Sequence, residues 1–143
     1  MSVMRHRRIC VLMNPKSGLG QSLGAIVRDV ESHWGGERVD VSYQISRSVE
    51  DGQHKTEQAV RSGAETVLVV GGDGMVNSIG GALLGSGVAL GVIPAGSGNG
   101  FARHFGIPLF IGQAIKALAS AECAGNSRAP SSWTANSSMR LRP

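Results

Sequence analysis

Thr66-Val67-Leu68-Val69-Val70-Gly71-Gly72-Asp73-Gly74 is the stretch of sequence that decides the fold. Its first five residues form an uninterrupted apolar run rich in β-branched side chains, which predicts a buried strand of a parallel sheet. The run ends at three glycines and one carboxylate, a composition typical of a tight turn whose backbone can approach a ligand closely. Ligands of open α/β sheets bind beyond the carboxyl ends of the strands, where Asp73 falls. The stretch therefore predicts a ligand-binding loop at a strand end.

Apolar patterns on both sides of this stretch alternate between strand and helix. Short apolar or alternating runs predict strands over residues 8–13, 39–45, 66–70 and 88–93. Apolar residues at helical spacing and helix-start signals predict helices over residues 21–34, 48–61, 73–84, 98–104 and 110–119. Strand and helix alternate four times, which is typical of a parallel sheet covered on both faces. We therefore expect a Rossmann-like three-layer α/β/α domain whose strand-end loops share one edge.

Two further loops follow predicted strands and carry related chemistry. Asn14-Pro15-Lys16-Ser17-Gly18 offers an amide, an ammonium group and a hydroxyl, and Pro94-Ala95-Gly96-Ser97-Gly98-Asn99-Gly100 offers backbone N–H groups, a hydroxyl and an amide. Backbone N–H groups at helix N-termini attract phosphate. A carboxylate repels phosphate, so we expect Asp73 to act through Mg²⁺, ribose hydroxyls or a proton. The three loops together predict a phosphate site, with Lys16 and Arg103 as candidate phosphate contacts.

The spacing of the glycines excludes two common nucleotide-binding motifs. None of the three lysines follows a glycine, so the sequence contains no Gly-x-x-x-x-Gly-Lys-Ser/Thr loop. No Gly-x-Gly-x-x-Gly opens a helix after the first predicted strand, which argues against a Rossmann dehydrogenase.

Composition and charge limit the class of protein. The chain has 143 residues, enough for one domain, and 41% of them are hydrophobic. The net charge of +4 comes from six arginines near the two ends, and the remaining chain holds eight basic and ten acidic residues. Basic ends fit solvated termini, and they also allow transient contact with an anionic membrane surface or with phosphates. Nucleic-acid binding lacks the expected aromatic-interleaved basic run. Because no apolar span approaches about 20 residues, we expect a soluble, cytoplasmic protein, peripheral to membranes at most.

Cys10 and Cys123 lack metal-ligand spacing, and we expect buried, inert thiols.

The motifs Asn-Pro-x-Ser-Gly, Gly-Gly-Asp-Gly and Pro-x-Gly-Ser-Gly-Asn, in this order, resemble the catalytic domain of diacylglycerol kinases, related bacterial lipid kinases and sphingosine kinases. The resemblance covers about residues 8–119. It implies phosphoryl transfer from ATP to a lipid hydroxyl with Mg²⁺, and Asp73 as a catalytic residue in a metal-linked polar network. The nucleotide-binding residues, with the two charge-based candidates included, are then Asn14, Lys16, Ser17, Gly18, Gly71, Gly72, Asp73, Gly74, Asn77, Gly96, Ser97, Gly98, Asn99 and Arg103.

The sequence departs from the family pattern in three ways. Met75 stands where the family usually has Thr, and Ser78 stands where it usually has Glu. Family members also carry a second, β-rich lobe that holds the catalytic base, the main Mg²⁺ ligands and much of the lipid site. We expect residues 1–127 to form the nucleotide-binding lobe, residues 128–143 to form a disordered tail without strand pattern, and the second lobe to be absent through truncation or a disrupted frame. Such a chain would be weak or inactive alone.

Two alternatives stay open from the sequence. An NAD kinase shares the Gly-Gly-Asp-Gly motif on a related fold, although the other two loops favour the lipid kinase. A non-catalytic nucleotide-binding module is the second alternative, and Met75 and Ser78 favour it slightly. The oligomeric state is also open, with a homodimer among the alternatives.

Overall fold

The computed structural model describes residues 7–15, 23–34, 39–96, 98–123 and 138–140. These residues form one five-stranded sheet in the order β2-β1-β3-β4-β5, with helices on both faces. The elements in chain order are β1 Arg7–Met13, α1 Leu23–Trp34, β2 Val39–Ile45, α2 Val49–Arg61, β3 Thr66–Gly71, α3 Asp73–Leu83, β4 Ala89–Pro94, α4 Gly100–His104, α5 Ile111–Cys123 and β5 Ser138–Arg140.

The first four strands are parallel, as the alternation of strand and helix predicts. β1 pairs with β2 over seven residues and with β3 over five, and β3 pairs with β4 over six. Parallel strands put all their carboxyl ends at one edge, which is where the three glycine-containing loops begin. The predicted Rossmann-like α/β architecture is therefore confirmed, with strand limits that differ from the prediction by one residue.

Alternating side chains of the central strands divide the core into two clusters. Ile9, Val11 and Met13 of β1 pack in one cluster with α1 and α5, whereas Cys10 and Leu12 pack in the other with α3. β3 and β4 are buried along their whole length. This two-faced burial explains why the decisive apolar run contains no polar residue between Val67 and Val70.

The single thiol whose burial is described behaves as expected from the sequence. Cys10 is free and buried, and burial raises the pKa of its thiol although a hydrogen bond with Ser42 partly offsets the effect. The side chain of Cys123 lies outside the described residues. No helix in the described parts of the chain is long and apolar enough to cross a membrane.

The C-terminal segment differs from the prediction at one place. Within the predicted irregular tail, Ser138–Arg140 form β5, which pairs antiparallel with Ala89–Gly91 of β4. The expectation of no strand there was wrong for these three residues. An edge strand such as β4 offers unpaired backbone groups that any short extended segment can satisfy, so the pairing needs no apolar pattern. The other residues between 124 and 143 lie outside the described residues, and the division at residue 127 stays a prediction.

Candidate functional site

The second and third loops are in direct backbone contact at the carboxyl edge of the sheet. A Cβ atom added to Gly96 would lie 2.5 Å from the Cα atom of Gly72, and one added to Gly72 would lie 3.1 Å from the Cα atom of Gly96. Real Cβ atoms do not approach a backbone atom to 2.5 Å. Ala95 N–H also donates to the Gly71 carbonyl at 3.0 Å, which extends the β3–β4 pairing up to this contact. Glycine at these positions is therefore required to bring the loops together.

The carboxylate of Asp73 ties the second loop to the start of α4. Its Oδ2 atom accepts a hydrogen bond from Gly100 N–H at 2.8 Å, and its Oδ1 atom accepts one from Phe101 N–H at 2.9 Å. These bonds, that from Phe101 first, hold the pKa of the Asp73 carboxyl below its ordinary value. Both oxygens therefore stabilise the position of the third loop. The sequence does not indicate this contact, because the partners lie 27 and 28 residues from Asp73.

The side chain of Asn99 closes the third loop through two hydrogen bonds to the backbone of Gly96. Its Oδ1 accepts from Gly96 N–H at 2.9 Å, and its Nδ2 donates to the Gly96 carbonyl at 2.9 Å. Asn99 has φ 55° and ψ 43°, the left-handed conformation that asparagine tolerates better than most residues. The two hydrogen bonds fix the shape of the third loop, and the predicted contact of Asn99 with a nucleotide stays a prediction.

Two other predicted site residues lie on α3 and α4, the helices that follow the second and third loops. Arg103 lies on α4, where its Nε donates to the Gly98 carbonyl at 2.9 Å, and its side chain is exposed. Asn77 lies exposed on α3, one turn beyond Asp73. Both side chains are exposed, and neither lines either of the two clefts described below.

A cleft of about 340 Å³ opens beside the Gly-Gly-Asp-Gly turn, between the starts of α2 and α3. Gly74 lines it and is exposed, and a Cβ added there would meet nothing within 4 Å. Asn14 from the first loop lines the same cleft, and its N–H donates to the Val70 carbonyl at 3.3 Å. Part of the first predicted loop is thus brought to the second.

The sequence did not indicate the segment that forms the opposite wall of this cleft, Ser46-Arg47-Ser48. Ser46 is buried and its Oγ donates to the Ser48 carbonyl at 2.9 Å, while Ser48 Oγ caps α2 by accepting from Asp51 N–H at 3.0 Å. Arg47 is the charged residue of the lining. The capping signal at Ser48 was recognisable, but its neighbours face the cleft only because α2 packs against α3.

The two departures from the family pattern both lie in this cleft. Met75 folds back over the turn, since a Cβ added to Gly71 would lie 2.7 Å from the Met75 sulfur atom. The Ser78 hydroxyl oxygen is buried and has no hydrogen-bond partner among the residues that the structure describes. Val49, Met75 and Ile79 give the cleft apolar surface beside its polar groups.

A larger cleft of about 620 Å³ lies elsewhere, between α2 and the polar face of β1 and β2. Arg8, Lys55 and Arg61 line it, and none of the described residues predicted for the site does so. Although this cleft is larger, it is therefore not the predicted phosphate site.

The donors in the described part of the chain do not form a metal centre by themselves. No group of three or more His, Cys, Asp or Glu side chains there is arranged to hold a metal ion. Asp73 already uses both carboxylate oxygens for backbone N–H groups. Mg²⁺ prefers oxygen ligands and usually takes one or two carboxylates together with substrate phosphates. The described residues therefore do not fit a dedicated Mg²⁺ site.

Four predicted site residues lie outside the described residues, namely Lys16, Ser17, Gly18 and Ser97. Of the others, the contacts above join Gly71, Gly72, Asp73, Gly96, Gly98, Asn99 and Arg103 in one loop junction, while Asn14 and Gly74 line the adjacent cleft.

Glycine loops at the carboxyl edge of a doubly covered parallel sheet define a Rossmann-like α/β domain of the three-layer class. The chain belongs to the diacylglycerol kinase catalytic domain family, whose model matches residues 8–126. The resemblance inferred from the three motifs is thereby confirmed.

Individual relatives agree with this assignment. The chain is 40% identical over 105 residues to a diacylglycerol kinase of Mycobacterium tuberculosis, covering 71% of this chain and 32% of that protein. It is 33% identical over 110 residues to "Probable lipid kinase YegS-like" of Citrobacter koseri, covering 74% and 36%. A solved diacylglycerol kinase structure from Bacillus anthracis matches the fold with a TM-score of 0.69 at 24% identity, covering 80% of this chain and 40% of that one. The chain spans about a third of the length of the curated relatives it matches.

Proposed function

We propose that this chain binds ATP at the loop junction and the adjacent cleft, as the nucleotide-binding part of a kinase that transfers the γ-phosphate to a lipid hydroxyl. The observation that carries the proposal is that Gly74 is exposed and unobstructed beside a cleft of about 340 Å³, two residues after the glycine that contacts Gly96. Membership of the diacylglycerol kinase family supports the reaction class.

The cleft has the mixed character that a nucleoside requires. Val49 and Met75 offer apolar contact to a base, while Asn14 and Arg47 offer polar and positively charged groups. Clefts that bind small ligands combine apolar walls with a few polar groups in this way. The base and ribose would occupy the cleft, and the phosphates would lie over the exposed backbone at Gly74.

Asp73 is proposed to position the site more than to act as a base. A general base works best when its pKa lies near the operating pH, and the hydrogen bonds to Asp73 lower its pKa. Its predicted catalytic role and the participation of Mg²⁺ therefore remain proposals, with the metal arriving together with the nucleotide phosphates. We accordingly expect the described site to bind nucleotide but, by itself, to transfer phosphate slowly.

The test is calorimetric titration of the chain with ATP in the presence of Mg²⁺, using two matched variants on α3. Gly74→Leu fills the proposed phosphate position, and Gly81→Leu adds the same side chain at another exposed glycine with nothing within 4 Å. Loss of charge-assisted hydrogen bonds to phosphate predicts binding weaker by about tenfold to a hundredfold in Gly74→Leu only. Equal binding by both variants, or no ATP binding by the folded wild type, would contradict the proposal.

The same titration with NAD separates the two nucleotide-dependent alternatives. Tighter binding of NAD than of ATP would favour an NAD kinase-like activity. Incubation with ATP and diacylglycerol vesicles then measures phosphoryl transfer directly. ATP binding without any transfer would support a non-catalytic binding module, whereas rapid Mg²⁺-dependent lipid phosphorylation would contradict the expectation of slow transfer.

A further inference from the structure

The outer edge of β2 is a regular strand edge that no other strand covers among the described residues, with Lys55 Nζ donating to the carbonyl of Ile45 at its end. β2 is the terminal strand of the sheet and pairs on its inner side with β1, in unbroken register from Arg7↔Val39 to Met13↔Ile45. A strand edge of this kind presents a row of backbone N–H and C=O groups that can pair with another strand.

The residues of β2 themselves lack the usual features that protect such an edge. Val39-Asp40-Val41-Ser42-Tyr43-Gln44-Ile45 contains no proline, lysine or arginine, and its unbroken register with β1 leaves no bulge. Its only charge is Asp40. At the opposite end of the sheet, β4 is covered by β5. Natural edge strands are commonly interrupted or charged to prevent association, so an unprotected edge of seven residues indicates a partner.

The strand is complementary to itself when two copies run antiparallel about Ser42. This register places Val39 opposite Ile45, Asp40 opposite Gln44, and Val41 opposite Tyr43 of the other copy. Apolar side chains then meet apolar ones on the α1 face, where Val39, Val41 and Tyr43 already pack. Each carboxylate faces an amide on the other side, so no like charges meet. Ile45, which is 39% exposed, gains an apolar neighbour.

We propose that two copies of this chain associate through antiparallel pairing of β2 with β2, which makes one continuous sheet across a two-fold axis at Ser42. An isologous contact of this kind is closed and stops at the dimer. The proposal does not rest on nucleotide binding, since no residue from Val39 to Ile45 lines the cleft at Gly74.

A cysteine placed on the two-fold axis tests the register. In an antiparallel pair directly opposite Cα atoms are about 4.5–5.5 Å apart, within the range that a disulfide spans. Ser42→Cys should therefore cross-link into a reducible dimer under mild oxidation. Gln44→Cys is the control, because two such residues would be offset by four positions, about 13 Å. Both variants are made in a Cys10→Ala background, because Cys10 is paired with Ser42 in the register of β1 and β2 and could otherwise capture the new thiol within one chain. Equal cross-linking of both variants would overturn the proposed register.

Opposite charges at one exposed position test association without cross-linking. In the dimer, Gln44 of each copy lies opposite Asp40 of the other copy. Gln44→Asp therefore creates two like-charge pairs, and Gln44→Lys creates two pairs of opposite charge. Cross-strand pairs of this kind predict a dimer dissociation constant about twofold to thirtyfold weaker for the aspartate and tighter for the lysine. Sedimentation equilibrium measures both. A wild type that is monomeric at all concentrations, or variants that shift in the same direction, would overturn the proposal.

Discussion

Gly72 and Gly96 lie so close that neither can carry a side chain without displacing the other's backbone, since a Cβ on Gly96 would be 2.5 Å from the Gly72 Cα. This contact joins the end of β3 to the end of β4 at the edge where the site lies. The glycines of the two motifs therefore have a structural role in addition to any contact with phosphate.

Gly96→Ala should destabilise the fold because the clashing atom is backbone and cannot move aside like a flexible side chain. We expect a loss of about 1–3 kcal/mol in the free energy of unfolding, typical of overpacking. Gly81→Ala, on α3 with nothing within 4 Å, should instead be stabilising by about 0.5–1 kcal/mol. Urea denaturation of both variants measures the difference. A stability of Gly96→Ala equal to wild type would mean that the two loops are farther apart than described.

Asn99 should tolerate glycine better than alanine, although both lose the two hydrogen bonds to Gly96. Alanine must also adopt the left-handed conformation at φ 55°, which costs about 1–2 kcal/mol, whereas glycine adopts it freely. Thermal unfolding of the two variants should therefore give a lower midpoint for Asn99→Ala. The opposite order would argue that Asn99 is not in this conformation.

Ser48→Ala should destabilise α2 by about 1 kcal/mol, since the Ser48 hydroxyl accepts a hydrogen bond from Asp51 N–H at the start of the helix. Ser62→Ala at the other end removes an exposed hydroxyl that donates to Gln58, and we expect a change of no more than about 0.5 kcal/mol. Denaturant midpoints compare the two. Because Ser48 also borders the cleft, ATP binding by Ser48→Ala would show whether the wall of the cleft depends on this cap.

The pH dependence of stability should include a contribution from Asp73. Its pKa is lowered in the folded state by the N–H groups of Phe101 and Gly100, so the contribution is fully present above the ordinary carboxyl pKa of about 3.9. It is lost as the pH falls through the lower pKa of the folded state. Asp73→Asn should therefore reduce the acid-induced loss of stability. The measurement is denaturant unfolding at intervals of about one pH unit between about pH 2 and about pH 6.

Direct titration of the Asp73 carboxyl by carbon NMR is the control for this assignment. A pKa at or above the ordinary value would mean that the two hydrogen bonds are not formed in solution. The pKa of Asp51 is lowered as well, through Arg47 N–H first and Lys55 second, so Asp51→Asn should also reduce the acid-induced loss of stability.

Much of the architecture could be predicted from local patterns. The apolar run from Thr66 to Val70 must be a strand between two layers, and the glycines after it must form a turn, because these preferences act over a few residues. The parallel order followed from alternation of strand and helix. The short strand β5 was missed because its pairing with β4 uses backbone groups that leave little trace in side-chain type.

The contacts that the predicted site residues make could not be predicted from the sequence. Asp73 was expected to act on a metal, a ribose or a proton, whereas its described partners are N–H groups 27 and 28 residues away. The wall formed by Ser46 and Arg47 was missed for the same reason, since nothing in the local sequence shows that α2 packs against α3.

The sequence by itself determined the strand–helix alternation, the two glycine turns and the family of this protein, because hydrophobic periodicity and glycine act locally along the chain. Only the tertiary structure decided that Gly72 meets Gly96, that Asp73 holds the start of α4, and that a cleft opens at Gly74. These contacts depend on how neighbouring strands align and how helices pack over them, and that alignment is set by the burial of the whole core at once.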